Sequence, residues 1–346
     1  MKLGNPNFAI LLASAVTAVS MSSTPVVAET ELVLSSWLPP RHTLVVNAVR
    51  PWAQQIAEVT EGRVTVRVLG TPAGAPPAHY DMAADGIADI TYGLHSFTTD
   101  DRFLGSRIGQ FSFLANDAVS GSRAFWDVYT GQLNADAEHE GVKLLGLFLH
   151  GPGMLNNGTR KIEAPSDLDG LKIRTPGGYI ADLMGDLGAT TVFMSSGEVF
   201  EQLSRGIIDG VAFPPDGVTS FNLTDYVTHS MTIPGGFYNT SWFLVMNEGK
   251  WNEISPEDQA AIEAISGTAF ADMAGAAWDA SDVESIEEIT EAGIEIHEAS
   301  AAMVDAIKAA AAAREADGPK PLPGRAQTVL PPLRPSAPRL AWSTRS

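Results

Sequence analysis

The chain has 346 residues, of which 45% are hydrophobic and 18% are charged, and its formal net charge is −19 at pH 7. This composition is typical of a soluble globular protein that is long enough for two domains and a sizeable core. The strong negative charge argues against a nucleic acid as partner, and an anionic ligand would need a local positive site. The absence of cysteine excludes a disulfide framework, a thiol nucleophile and a lipid-anchor cysteine.

The first 28 residues have the pattern of an export signal. Lys2 is followed by an apolar run over residues 8–19 and by small residues that end at Ala28. This run is too short and wrongly flanked for a spanning helix, and no other stretch approaches the roughly 18 apolar residues that a span requires. We therefore expect a signal peptide over residues 1–28, cleavage after Ala28, and a mature protein in a bacterial periplasm without direct membrane insertion.

The sequence after residue 28 opens with a β-α-β pattern. Residues 32–35 read as a buried strand, residues 45–57 carry apolar side chains at helical spacing, and residues 63–69 alternate in polarity like a half-buried strand. Pro51 lies inside the helical pattern and predicts a kink or a later helix start. Such an opening is typical of an α/β fold with parallel strands.

A short helix followed by Gly-Ile-x-Asp and an apolar strand occurs twice, over residues 86–93 and residues 206–213. In each unit the glycine predicts a left-handed turn that ends the helix, so that the strand enters the sheet directly. Two lobes of similar build, each with a strand end at a shared cleft, would explain the repetition. The alternative is chance similarity, because helix-Gly-strand units are common in α/β proteins.

Arg174 lies in the segment Leu-Lys-Ile-Arg-Thr-Pro-Gly-Gly, residues 171–178, which reads as a short strand stopped by Pro176. The carboxyl ends of strands are where open α/β sheets bind ligands. The guanidinium group is suited to gripping a carboxylate with two hydrogen bonds. From these residues alone, a structural arginine paired with a nearby Asp or Glu is the alternative.

The sequence from Ser255 is predicted to be mostly helical. Ser255 is a good cap, and the helical pattern that begins at Pro256 continues to residue 291, with breaks predicted at Gly267 and Gly275. Long helices lying across both lobes are expected.

Three further segments follow this pattern. Residues 294–296 read as a last strand and residues 301–314 as an alanine-rich helix. Residues 315–346 are expected to be a disordered tail, because the part from residue 318 has seven prolines, five basic residues and no acid.

The sequence carries no recognisable catalytic or metal-binding motif. The seven histidines lack metal-ligand spacing, and a G-x-S-x-G elbow, a P-loop and a G-x-G-x-x-G turn are absent. His139 beside Glu140 reads as part of a solvated turn with a surface role. We expect binding without chemistry, no cofactor and no metal, with an exported enzyme acting on a small organic acid as the alternative.

Over residues 31–301 the chain resembles the solute-binding proteins of tripartite ATP-independent periplasmic (TRAP) transporters, of the dicarboxylate-binding (DctP) type. Residues 167–176 resemble the family segment D-L-x-G-x-K-x-R-x-P, and residues 197–210 resemble E-V-x-x-x-L-x-x-G-x-I-D-G. Residues 238–251 are similar to the strand and turn that follow. The resemblance implies an α/β, two-lobe periplasmic solute-binding protein fold with an interlobe cleft, hinge strands and a long helix spanning both lobes.

The same resemblance gives expected boundaries for the two lobes. Residues 29–149 and 238–275 would form lobe 1, and residues 150–237 and 276–314 would form lobe 2. The implied function is capture of a small organic acid in the cleft and its delivery to the membrane subunits of a transporter, by a monomer. A sensory receptor of the same fold is an alternative.

The resemblance places Arg174 as the partner of the ligand carboxylate and Phe213 where family members pack a side chain on the ligand. Met154 occupies the approximate position of a second arginine in sialic-acid-binding members, which argues against such a ligand. Asp216 either meets an amino or hydroxyl group of the ligand or caps the next turn. Further candidates for ligand binding, each with a core or surface role as the alternative, are Trp37, His42, His79, Tyr92, Tyr238 and Trp242.

Overall fold

The computed structural model describes Met1 and residues 30–98 and 101–316. The rest of the predicted signal peptide and the predicted tail beyond residue 316 lie outside the described residues. The strands are β1 Thr30–Ser35, β2 Val64–Val68, β3 Ile90–Leu94, β4 Val142–Leu149, β5 Met154–Asn157, β6 Lys172–Thr175, β7 Thr190–Phe193, β8 Gly210–Phe213, β9 His229–Thr232, β10 Ser241–Asn247 and β11 Glu295–Glu298.

The helices alternate with these strands along most of the chain. They are α1 Arg50–Val59, α2 His79–Ala84, α3 Ala118–Gln132, α4 Ala135–Glu138, α5 Gly178–Asp186, α6 Val199–Ser204, α7 Pro215–Ser220, α8 Glu248–Asn252, α9 Pro256–Ala264, α10 Thr268–Glu291 and α11 Ala301–Ala316. Among the described residues no helix is long and apolar enough to cross a membrane.

Two separate sheets define two lobes. The first lobe is built on five strands in the order β2-β1-β3-β10-β4, and the second on six strands in the order β11-β9-β5-β8-β6-β7. Each sheet contains one strand that runs antiparallel to both of its neighbours, β10 in the first sheet and β5 in the second. Each of these is the first strand after the chain crosses the hinge. The predicted two-lobe α/β fold is therefore confirmed.

Two of the three chain segments that connect the sheets are short and form the hinge, and the third contains α10. Residues 150–153 lead from β4 to β5, and residues 233–240 return from β9 to β10. The two segments are hydrogen-bonded to each other, since Gly153 N donates to Tyr238 O at 3.0 Å and Phe237 N donates to Gly153 O at 3.0 Å. These hydrogen bonds hold the two hinge segments side by side.

The repeated Gly-Ile-x-Asp units adopt the same geometry in the two lobes. Gly86 and Gly206 have φ values of 71° and 66°, in the left-handed region that glycine enters without strain. Asp89 accepts a hydrogen bond from Val33 N at 2.7 Å, and Asp209 accepts one from Lys172 N at 2.8 Å. In both lobes the aspartate thus binds the backbone of the strand beside its own.

Pro51 lies inside a helical stretch that runs from residue 43 to residue 59, so the helix does not begin at the proline. Residues 45–49 form a π-helical turn directly before α1, and the N–H of Arg50 bonds to Val45 O. The proline, which disfavours the regular α-helical hydrogen-bond pattern before it, thus follows a local π-helical irregularity.

Helix α10 spans the two lobes. Phe270 and Trp278 are buried in the core of the first lobe, whereas Ile289 packs with residues that follow β7 in the second lobe. The 24-residue helix is about 36 Å long at about 1.5 Å per residue, which is enough to reach across both. The predicted long helix is confirmed, and so is the break at Gly267, which precedes it with φ 58°.

The break predicted at Gly275 is wrong, because α10 continues through it. A Cβ at this position would lie 2.6 Å from Cα and 2.7 Å from N of Val119 in α3. The glycine serves close packing of two helix backbones and leaves the helix intact.

This close approach predicts that Gly275→Ala lowers the free energy of unfolding by about 1–3 kcal/mol, because α3 or α10 must shift. Urea denaturation measures the change. Gly185→Ala in α5 is the matched control, since no atom lies within 4 Å of its Cβ position. It should leave stability unchanged or raise it by about 0.5–1 kcal/mol. Equal effects of the two substitutions would contradict the packing role of Gly275.

Candidate functional site

A cavity lies between the lobes, beside the hinge, and contains about 410 Å³ of empty space that is continuous with solvent. The first lobe, the second lobe, the hinge and α10 all contribute to its wall. The lining residues are Leu38, His42, Leu94, His150, Arg174, Pro176, Ser196, Phe213, Pro214, Asp216, Gly217, Phe221, Tyr238, Thr240, Trp242 and Trp278.

Arg174 occupies an interior position in the second sheet and reaches this cavity from the end of β6. Its backbone pairs with Val192 on one side and Val211 on the other, so the strand is held from both edges. The side chain is 1% exposed. The guanidinium carbon lies 4.4 Å from the centre of the Phe213 ring, which gives the cation a π face on one side.

The guanidinium group donates hydrogen bonds to neutral oxygens. Nε and Nη2 donate to Met194 O at 3.0 and 2.9 Å, and longer contacts of 3.4 Å join Nη2 to Ser196 Oγ and Nη1 to Ala212 O. Four contacts for five N–H donors leave at least one donor without a partner in the described part of the chain. The guanidinium group is held in a fixed orientation and can therefore still donate a hydrogen bond to a ligand.

The charge of Arg174 has no acidic partner among the described residues. Burial lowers its pKa to about 10, while the nearby Tyr238 and Glu198 act weakly in the opposite direction. Even so, the group keeps its proton at neutral pH. A buried cation without a counter-ion is unfavourable, and an anion that enters the cavity would relieve it.

Several aromatic side chains belong to the remaining wall. Phe213 and Phe221 are stacked with their ring centres 5.5 Å apart and 8° between planes, and Trp242 and Trp278 meet at 5.2 Å. Trp37 is stacked behind Trp242 at 5.6 Å with parallel rings. The walls thus favour a flat, apolar body attached to an anionic group.

His42 and Asp216 contact each other between the lobes. Nε2 of His42, in the loop after β1, lies 3.1 Å from Oδ2 of Asp216, in the first turn of α7, and both side chains are 3% exposed. Burial alone would raise the pKa of Asp216, but His42 and hydrogen bonds from Ser281 and Ser220 outweigh it and lower the pKa. Asp216 is therefore a charged group whose partners come from the protein itself.

Asp282 lies behind this pair, on α10. Its Oδ1 accepts a hydrogen bond from Asp216 N at 3.0 Å, and its Oδ2 has no hydrogen-bond partner in the described structure. Burial raises the pKa of Asp282 well above its usual range, and the charge of Asp216 adds to this effect. The surroundings of Asp282 therefore disfavour its charged form, whereas those of Asp216 favour it.

His150 follows β4 at the start of the hinge and is 3% exposed. Its Nδ1 is bonded to Gly151 O, and its Nε2 has no partner among the described residues. Its ring lies 5.4 Å from that of Tyr238. His150 was not among the binding residues expected from the sequence. It lies where β4 leads into the hinge, and such a place can be recognised only once the strand order is known.

Six of the ten candidate binding residues line the cavity. They are His42, Arg174, Phe213, Asp216, Tyr238 and Trp242. The sequence reasoning did not find three other lining residues, His150 and Thr240 in the hinge and Trp278 in α10, because none of them belongs to a motif.

The other four candidates lie elsewhere, each in a contact within one lobe. Trp37 packs behind Trp242, and Tyr92 is hydrogen-bonded to Ser36 Oγ at 2.6 Å. His79 is buried in α2, where its Nε2 lies 3.0 Å from Ser35 Oγ. Met154 faces Phe213 in the β5–β8 ladder and is outside the cavity lining.

The surface role predicted for His139 is wrong. His139 is 1% exposed, and its Nε2 lies 3.0 Å from Nε2 of His95, a partner 44 residues away. Phe103 and Tyr80 pack against its ring. Within the residues that the structure describes, no group of three or more His, Asp or Glu side chains could hold a metal ion.

Comparison with known proteins gives a family match over most of the chain. A family model described as bacterial extracellular solute-binding protein, family 7, matches residues 34–316. A relative from Comamonas testosteroni named outer membrane transporter protein TsaT is 31% identical over 292 residues, which cover 83% of this chain and 86% of that protein.

Solved structures of the same architecture are also similar. A TRAP periplasmic solute-binding protein from Bordetella bronchiseptica with bound (R)- and (S)-mandelate is 35% identical, with a TM-score of 0.81 over 83% of this chain and 91% of that one. A marine metagenome TRAP solute-binding protein specific for aromatic acid ligands, in complex with 3-hydroxybenzoate, is 29% identical, with a TM-score of 0.78 over 84% and 91%.

The burial of the His42–Asp216 pair predicts a large effect of breaking it. His42→Ala should lower the free energy of unfolding by about 3–5 kcal/mol, because a charged carboxylate is left buried without its partner. The double substitution His42→Ala with Asp216→Ala should recover part of this loss. Urea denaturation of the single and double variants measures both values.

Glu253→Gln provides the control for this experiment. It breaks a 2.9 Å ion pair with Lys250 that lies on the surface, where water screens the charges. Its unfolding curve should overlay that of the unmodified protein. A His42→Ala variant as stable as Glu253→Gln would show that the interlobe pair contributes nothing.

Proposed function

Because the chain belongs to bacterial extracellular solute-binding protein family 7, the solute-binding proteins of TRAP transporters, we propose that it captures a small aromatic monocarboxylate between its lobes and delivers it to membrane transport subunits. The observation that carries this proposal is the charge of Arg174, which is buried at the cavity wall without an acidic partner among the described residues. A ligand carboxylate completes the pair that the chain leaves open.

The charge of the cavity favours one carboxylate over two. Among the described residues that line the cavity, Arg174 is the only lysine or arginine. His42 is already paired with Asp216, and burial lowers the pKa of His150 to about 4, so this ring is neutral at pH 7. A second ligand carboxylate would be desolvated without a cation, which is costly.

The apolar part of the wall supports an aromatic body for the ligand. Phe213, Phe221, Trp242 and Trp278 line the cavity, and Leu38 and Leu94 add further apolar surface. Two similar structures bind mandelate and 3-hydroxybenzoate, both aromatic acids with a single carboxylate. The Tyr238 hydroxyl, whose side chain lies near Arg174, is a further donor for the carboxylate.

Ligand capture is proposed to proceed by closure of the lobes. Arg174 and Phe213 belong to the second lobe, whereas Trp242 and Leu94 belong to the first, so a bound acid contacts both. A ligand with more contacts in the closed form shifts the population towards it. The interlobe pair of His42 and Asp216 adds to the closed state.

The proposal is one of binding without turnover. The described residues place no hydrogen-bonded nucleophile and base in the cavity, where Ser196 Oγ contacts Arg174 and the His42 ring contacts Asp216. We further propose that the protein acts as a monomer in the periplasm after cleavage behind Ala28. Lobe boundaries at residues 149–150, 237–238 and 275–276 are part of the same proposal; the two hinge segments support the first two, and the third falls within α10.

Arg174→Met should abolish ligand capture without harm to the fold. Loss of the ion pair should weaken binding of an aromatic acid by about 2–5 kcal/mol, or roughly 30-fold to several thousand-fold. The unliganded variant should be at least as stable as the unmodified protein, because a buried charge without a counter-ion is removed. Calorimetric titration with mandelate, benzoate, 3-hydroxybenzoate and succinate, together with thermal unfolding, measures both quantities.

Arg160→Met, which removes an exposed arginine of the second lobe, is the control and should bind as the unmodified protein does. Succinate is the dicarboxylate control and should bind more weakly than the aromatic acids. Unchanged affinity of Arg174→Met for the preferred acid would refute the proposal.

A further inference from the structure

The tautomer of His150 follows from its hydrogen bond. Nδ1 lies 2.5 Å from Gly151 O, and a carbonyl oxygen accepts hydrogen bonds only. Nδ1 must therefore carry the proton. Since burial keeps the ring neutral at pH 7, Nε2 presents a bare lone pair and acts as an acceptor.

No donor in the described chain reaches this lone pair. Nε2 of His150 is buried and without a hydrogen-bond partner, although the rings of Tyr238 and Trp278 lie 5.4 and 6.3 Å away. Buried acceptors in native proteins are nearly always satisfied, because losing water without a replacement is unfavourable. The side chain belongs to the wall of the same cavity as Arg174.

We propose that Nε2 of His150 accepts a hydrogen bond from a hydroxyl group of the ligand, so that the site selects hydroxylated aromatic acids over their unsubstituted counterparts. This inference rests on the proposed function. Arg174 holds the carboxylate, the aromatic wall holds the ring, and His150 identifies the hydroxyl.

A hydroxyl fits this position better than an ammonium group does. The carboxylate of Asp216 already has His42, Ser220 and Ser281 as partners, and burial raises the pKa of Asp282 and so disfavours its charged form. An ammonium group would therefore be buried near the Arg174 charge without a free anion of its own. A neutral hydroxyl satisfies His150 without adding a charge.

The test compares acids that differ by one hydroxyl group. Mandelate and phenylacetate form one pair, and 3-hydroxybenzoate and benzoate form the other; phenylglycine supplies the ammonium analogue of mandelate. With the unmodified protein, the hydroxylated member of at least one pair should bind about tenfold or more tightly than its counterpart, as measured by calorimetry.

His150→Phe keeps a ring of similar size but removes the acceptor. In this variant the two members of the preferred pair should bind within about twofold of each other, mainly because the hydroxylated acid binds more weakly. His150→Gln retains an acceptor and should keep part of the preference. A loss of affinity for the hydroxylated acid alone would indicate recognition of the hydroxyl group, because a structural defect would weaken the binding of both acids.

Three results would overturn the inference while leaving the proposed function standing. They are equal affinity within both pairs for the unmodified protein, equal weakening of both members of a pair by His150→Phe, and tighter binding of phenylglycine than of mandelate. If none of the aromatic acids binds, the proposed function fails and the inference fails with it.

Discussion

A positive charge that the fold buries and does not neutralise is the constraint on which the site depends. Arg174 is fixed between two parallel neighbours in the second sheet and held by carbonyl oxygens of Met194 and Ala212. Neutral oxygens orient the guanidinium group but do not cancel its charge. Folding thus supplies a preorganised anion site in a strongly acidic chain, where long-range electrostatics would otherwise repel an anion.

The contact between His42 and Asp216 has a different role from that of Arg174. Nδ1 of His42 accepts a hydrogen bond from Leu44 N, so Nε2 carries the ring proton and donates it to Asp216 across the lobes. The charge of Arg174 is left for a ligand to pair with, whereas the His42–Asp216 contact links the two lobes. Because α10 packs in both lobes and the hinge segments bind each other, opening is restricted to a motion about these elements.

Period-2 and period-3.6 patterns, helix caps and the repeated Gly-Ile-x-Asp unit are local signals, and they predicted the α/β class and the strand-end position of Arg174. The two-lobe architecture with hinge strands and a spanning helix, and the role of Arg174 towards a carboxylate, were implied by the resemblance to the TRAP family. Sequence reasoning could not decide which aromatic residues face the cleft: Trp242 does, whereas Trp37, equally apolar, stacks behind it. Gly275 misled it because a glycine required for helix packing has the same sequence signature as a helix break. The unpaired acceptor of His150 depends on contacts that only the tertiary structure supplies.

The central claim is that the cavity recognises a carboxylate attached to an apolar ring, with Arg174 as the partner of the carboxylate. Its most direct test is calorimetry on the unmodified protein with the preferred aromatic acid and with the primary amide of that acid, which has nearly the same shape and no charge. The account predicts that the amide binds about a hundredfold more weakly or not at all, because the buried guanidinium then stays without an anion. Equal affinity for the acid and the amide would contradict it.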